Sequence, residues 1–238
     1  MKYKLTNKIK IILEHILIVA EKSAKQVQFC FIKGSTQYYT TPKKDILVSF
    51  ELDKPIEFDY PIRNLKTFLE NADLVLDTKN ISVKKNELVL PTKIDIKSFE
   101  KKENIQVSNF KHNDLLQVSK LKFKYMNLIG NDNKFTIRYQ NHVNDWWFDD
   151  GNKKVIPQGV ASRKFRYIIK REKIRLLPQD YKLTCKKGGV LNFKYKHLNY
   201  YFKSEKSFEK QQVKPWLTIR NKVKDKHLIA LYKSKGYM

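Results

Sequence analysis

The stretch NDWWFDDG, residues 144–151, is the one place where acids are spaced for chemistry. Asp145, Asp149 and Asp150 could hold Mg²⁺ for phosphodiester cleavage, with Trp146 and Trp147 stacking on bases. The same letters also fit a hairpin with one aromatic turned inward, one outward, and an Asp-Gly turn. No ordered set of acids elsewhere backs the nuclease reading. His15, His112, His142, His197 and His227 never stand in pairs at metal-ligand spacing. Gly188-Gly189 falls in a hairpin turn and not between a strand and a helix, so it is no phosphate loop, and no G-x-S-x-G elbow occurs. Cys30 and Cys185 sit far apart in alternating patterns and read as small core hydrophobes in a reducing compartment. The expectation is therefore no catalytic residue, no metal and no cofactor.

The 238 residues suffice for one large or two modest domains. A hydrophobic fraction of 41% with 14 Phe and 13 Tyr excludes a wholly disordered chain. Lys and Arg outnumber Asp and Glu by 49 to 24, for a net charge of +25. That charge speaks of partners, namely a polyanion, an anionic membrane surface or an acidic protein. Abundant Lys, Asn and Ile also fit an AT-rich genome. The longest apolar run, IILEHILIVA, is broken by Glu14 and His15 and is too short to cross a bilayer. It lacks a small-residue cleavage site, and helical periodicity accounts for it better than a signal peptide.

The elements that would carry these residues follow from periodicity. Ile9, Ile12, Leu13, Ile16, Leu17 and Ala20 mark an amphipathic helix with Thr6 or Asn7 as its cap. VQFCFIK, TQYYTT and DILVSFEL read as strands with a turn at Gly34-Ser35. A short helix, PIRNLKTFLENA, is expected from Pro61, followed by three short strands, DLVLDT, ISVKK and ELVLP. Residues 96–110 show no period and read as a connector. A helix in KHNDLLQVSKL, strands in FKYMNLIG and KFTIRYQ, and a helix ending SRKFRYIIKREKIRLL come next. The stretch 177–205 closes the unit as a lysine-studded β-meander. Helix, strands, helix, three strands thus occurs twice, a repeat of order and not of letters.

Placed on these elements, the cations avoid the apolar faces. Lys8, Lys10 and Lys22 do so on the first helix, Arg63 and Lys66 on the second. Lys111, Lys120 and Lys122 do so on the third, and Lys170, Arg171, Lys173 and Arg175 on the fourth. Four cationic helix faces, interrupted by Glu14, Glu21, Glu70, Asp114 and Glu172, point to a polyanion.

This plan resembles the DNA polymerase sliding clamps, most closely the T-even bacteriophage type. The likeness rests on PIRNLKTFLENADLVLDTKNISVKKNELVL (61–90) and on YIIKREKIRLLPQDYKLTCKKGG with FKYKHLNYYFKSE. The opening LTNKIKIILEHILIVAEKSAKQVQF adds to it. It spans about residues 4–205. The resemblance implies an α+β DNA-clamp fold of two similar domains, residues 1–96 and 111–205, joined by a connector at 97–110. A basic extension, 206–238, follows. It further implies head-to-tail closure into a ring, a homotrimer for two-domain subunits, with helices lining the hole. Duplex DNA would be held by its phosphates without base readout. The implied partners are a DNA polymerase and clamp loader, whose short hydrophobic peptides would dock near the connector, at Val107, Phe110, Leu176, Leu177 and Pro178. RNA polymerase or a sigma-like factor is a further partner. No membrane is implied, and the expected location is cytoplasmic, within the host cell if the chain is viral. A lysine-rich outer sheet and the tail depart from the family pattern.

Two functions follow: a ring-forming processivity factor, or a monomeric, basic clamp-like accessory factor or transcription coactivator. A metal-dependent nuclease is third.

Overall fold

A computed structural model of the chain describes residues 1–20, 26–71, 74–111, 123–131, 134–140, 155–159 and 164–209. Strand β1 (Lys2–Lys4) leads into helix α1 (Asn7–Ala20). Ile9, Ile12, Leu13, Ile16, Val19 and Ala20 are buried, the stripe that a 3.6-residue repeat places on one face. The Thr6 carbonyl accepts the Lys10 N–H and so opens the helix, while the Thr6 hydroxyl donates to Asp53.

Strands β2 (Phe29–Phe31), β3 (Gly34–Thr40) and β4 (Ile46–Ile56) follow as expected. Gly34 takes φ +117°, a conformation that a side chain would strain. The second helix differs from expectation. Pro61 lies in β5 (Tyr60–Ile62), paired with Cys30 of β2, and helix α2 covers only Leu65–Leu69. Its start is set by Asn64, whose carboxamide oxygen accepts the Lys66 and Thr67 N–H groups.

Of the three short strands expected next, only β6 (Val75–Asp77) forms, paired with β1. Asp77 instead caps a 3₁₀ turn at Thr78–Asn80, and a second turn spans Lys85–Glu87. Val83 and Leu88 from this stretch pack on Cys30 as a small satellite cluster, so side-chain burial holds it without a ladder.

Residues 96–110, which show no period in the sequence, hold regular structure. Helix α3 (Lys93–Glu100) opens on a Thr92–Asp95 capping box, and strand β7 (Asn104–Phe110) follows. Helix α3 buries Phe99 against Leu47, Val190 and Tyr201, a contact worth roughly 1.5–3 kcal/mol.

In the second half come β8 (Tyr125–Asn131), β9 (Lys134–Gln140), β10 (Val155–Gly159) and β11 (Phe165–Lys170). Strand β11 is where a helix was expected. FRYIIK is β-branched and aromatic, buried along its length, and flanked by β8 and by β15 (Lys206–Phe208). Such a two-sided strand carries no alternation to announce it. Only one 3₁₀ turn, Arg171–Lys173, follows it.

The meander forms as β12 (Tyr181–Lys186), β13 (Val190–Tyr195) and β14 (Leu198–Lys203). Its turns use left-handed Gly188, Gly189 and Lys196. Most of it is buried, and its exposed positions are mostly lysine, as the pattern implied. Lys182, Lys187, Lys194 and Lys196 are exposed, but Lys186 is buried and its Nζ donates to the Glu100 carbonyl at 2.7 Å. That bond caps the C-terminal end of α3.

Among the described residues all pairing is antiparallel. One sheet has the order β3-β4-β14-β13-β12-β7 and the other β10-β9-β8-β11-β15, with β1-β6 and β2-β5 as two-stranded ribbons. The β4–β14 pairing, Phe50 opposite Leu198, joins the two halves of the chain in one sheet. Pairing of β15 with β11 places Lys206–Phe208, beyond the expected domain end at 205, in that sheet.

Candidate nucleic-acid interface

The cations expected to form one surface fall into three situations. On α1, Lys8 is exposed and bound to Asp53 at 3.2 Å, and Lys10 is half-buried. The outward stripe of α1 carries Ile11, Glu14 and Ile18, with Ile11 52% and Ile18 49% exposed, so this face is mixed rather than cationic. On α2, Lys66 is exposed, while Arg63, just before the cap, pairs with Glu87 at 2.8 Å. Lys111 is exposed after β7. Lys22, Lys120 and Lys122 lie outside the described residues, as do the Asp145–Asp150 stretch and the residues beyond 209.

The fourth group is not a helix face, and its four members do different things. Lys173 bridges Asp45 at 2.7 Å and Glu205 at 2.6 Å. Burial works against its charge, but the two carboxylates overcome that and hold its pKa above the usual lysine value. Arg175 donates from Nη1 to the Ile18 carbonyl near the end of α1. The Arg171 guanidinium lies over the Phe123 ring, 4.9 Å from its centroid. Lys170 ends β11, opposite Tyr125 of β8.

Those last pairings build a hollow of about 570 Å³ at the end of the β8–β11 ladder. Among the described residues, Phe123, Lys124, Tyr125, Lys170, Arg171 and Arg175 line it, with Glu172 as the one carboxylate. Lys124 and Tyr125 were not among the expected site residues. Their sequence, FKYMNLIG, announces a strand but not its register, and it is the register that sets them beside Lys170.

The expected docking set is split. Phe110 is 1% exposed and packs edge-on to Phe193 at 5.1 Å, so it is core. Val107, on the same strand, is 44% exposed. Leu176 and Leu177 rest half-buried on the core and Pro178 is exposed. Leu177 lines an apolar groove of about 220 Å³ with Ile11, Ile12, Phe50, Tyr195 and Leu198. That groove lies between α1 and the meander, a place that sequence spacing does not reveal.

Beneath it, His15 Nδ1 and the Tyr200 hydroxyl are 2.9 Å apart. Burial, aided by Arg175, lowers the His15 pKa to about 4, so the imidazole is neutral at pH 7. Burial raises the thiol of Cys30 to about 11 and that of Cys185 above its ordinary value, so neither is a reactive thiolate at pH 7. Among the described residues no three His, Cys, Asp or Glu side chains cluster to hold a metal ion. No helix among them is long and apolar enough to cross a membrane.

No protein-family model and no curated protein matches the sequence. Solved structures do match the fold. The PCNA2–PCNA3 complex from Sulfolobus tokodaii aligns over 86% of this chain and 99% of that one, at 10% identity and a TM-score of 0.57. PCNA from Thermococcus kodakaraensis aligns over 86% and 99%, at 13% identity and 0.55. The Helicobacter pylori beta clamp, solved with a DNA ligase peptide, aligns over 89% and 68%, at 12% identity and 0.54. The chain therefore has the α+β DNA-clamp fold, sheet-dominated and built of two similar domains, as the resemblance implied.

Proposed function

We propose that this protein is a clamp-like processivity factor that holds duplex DNA through its phosphates and tethers replication or transcription partners. The observation that carries the reading is the clamp fold on a chain of +25 net charge. A fold shared with PCNA and the beta clamp supports association with DNA. The charge supplies a sequence-independent attraction for it. In this reading Lys8, Lys10, Lys66, Lys111, Lys170, Arg171 and Arg175 supply the attraction with Lys22, Lys120 and Lys122, and no residue is catalytic. The finer likeness to the T-even bacteriophage clamps, a viral source and the homotrimer are part of the proposal. So are the polymerase, clamp loader, and RNA polymerase or sigma-like partners. Docking is assigned to the surface of Val107, Leu176, Leu177 and Pro178, without Phe110.

One observation favours the alternative, a monomeric accessory factor or coactivator that adheres to DNA by charge. The outward face of α1 offers Ile11, Glu14 and Ile18 where a ring lining needs cations. Mass in solution, measured with and without circular DNA, separates the two. A trimer supports the ring, and a monomer in both conditions supports adhesion.

A further inference from the structure

The hollow beside β8 and β11 has a composition that duplex binding does not require. Lys170 faces Tyr125 across the ladder, and the Arg171 N–H donates to the Lys124 carbonyl at 2.9 Å. Two backbone segments are thereby fixed to each other where the cations gather. Phe123 is buried and packs on Tyr139 at a centroid distance of 4.7 Å, so it forms a rigid floor for Arg171. A planar guanidinium backed by an aromatic ring is a stacking platform for a nucleobase. Tyr125 is half-exposed in the same hollow and offers a second aromatic face. Lys124 is exposed and Lys170 half-buried, and both line the hollow. Glu172 weakens the field for a bare anion.

We propose that this hollow is a subsite for an unpaired nucleotide of single-stranded DNA. Its base stacks against Arg171 or Tyr125, and its phosphates meet Lys124 and Lys170. Bases inside a duplex are already stacked and cannot enter, so the subsite separates single strands from duplex as lysines alone would not. The assignment rests on the reading that the cationic surface meets nucleic acid, and it names the form of nucleic acid that this part of the surface takes.

The test uses the full chain, with anisotropy titrations of a labelled oligothymidylate and of a duplex of equal length. Tyr125→Ala should weaken oligothymidylate binding on the order of tenfold, with at most about a threefold loss on duplex. Tyr125→Phe should restore wild-type binding. Should Tyr125→Ala fail to fold, Tyr125→Leu, which keeps bulk but removes the aromatic face, carries the test and should lower the ratio of single-strand to duplex affinity. Equal losses on both ligands, or no loss on either, overturn the subsite and leave the duplex reading standing. Absence of binding to both ligands in the wild-type protein overturns both.

Discussion

His15 and Tyr200, separated by 185 residues in sequence, meet at 2.9 Å between Nδ1 and the hydroxyl, with their rings edge-on at 79°. One stands on α1 and the other on β14, so the contact ties the first helix to the last strand of the meander. Both are buried, and the bond gives the Tyr200 hydroxyl and His15 Nδ1 a partner.

This pair makes stability depend on pH. The folded pKa of His15, about 4, lies below the ordinary histidine value of 6.5. Above pH 6.5 both folded and unfolded states hold the ring neutral, and no penalty arises. As pH falls from 6.5 to about 4 the unfolded chain gains a proton that the folded one refuses, so stability drops, by about 3 kcal/mol at the limit. Urea unfolding between pH 7.5 and 4 should show this decline. His15→Phe should flatten that part of the curve.

Lys173 is a second point of coupling. It bridges Asp45, in the loop before β4, to Glu205, just before β15, and is mostly shielded from water. Lys173→Met should lower stability by roughly 1–3 kcal/mol, because two carboxylates lose their partner. Duplex affinity should change less than in Lys170→Ala, since Lys173 is already engaged. Thermal melting and a duplex titration on the two variants check both halves.

DNA binding should be indifferent to sequence and steep in salt. No element among the described residues presents a recognition motif, and each phosphate contact should add about 0.9 to the slope of log K against log salt. Unrelated duplexes titrated at rising salt should agree within tenfold. A larger preference for one sequence contradicts phosphate-only contact.

Some of this was legible in the sequence and some was not. The stripe Ile9–Ile16 announces α1, and Gly188-Gly189 between alternating runs announces the meander, because local periodicity and turn chemistry decide both. FRYIIK reads as part of a helix because a strand buried on both faces has no alternation, and only β8 and β15 reveal what it is. Helix α3 hides in mixed charge. Its signal is the Thr92–Asp95 box, four residues before the stretch read as aperiodic. The hollow is the clearest case. Lys170 and Arg171 stand out by charge, but their neighbours Lys124 and Tyr125 are set by register across a sheet, which no window of sequence contains.

The central claim, that the protein holds DNA by enclosing it, is tested most directly by retention on DNA with and without ends. The protein is loaded on a nicked circle, with a loader if one is needed, the DNA is then linearised, and bound protein is followed in time. Enclosure predicts stable retention on the circle and escape after linearisation. Equal rates of loss before and after linearisation would contradict it and leave charge as the means of holding DNA.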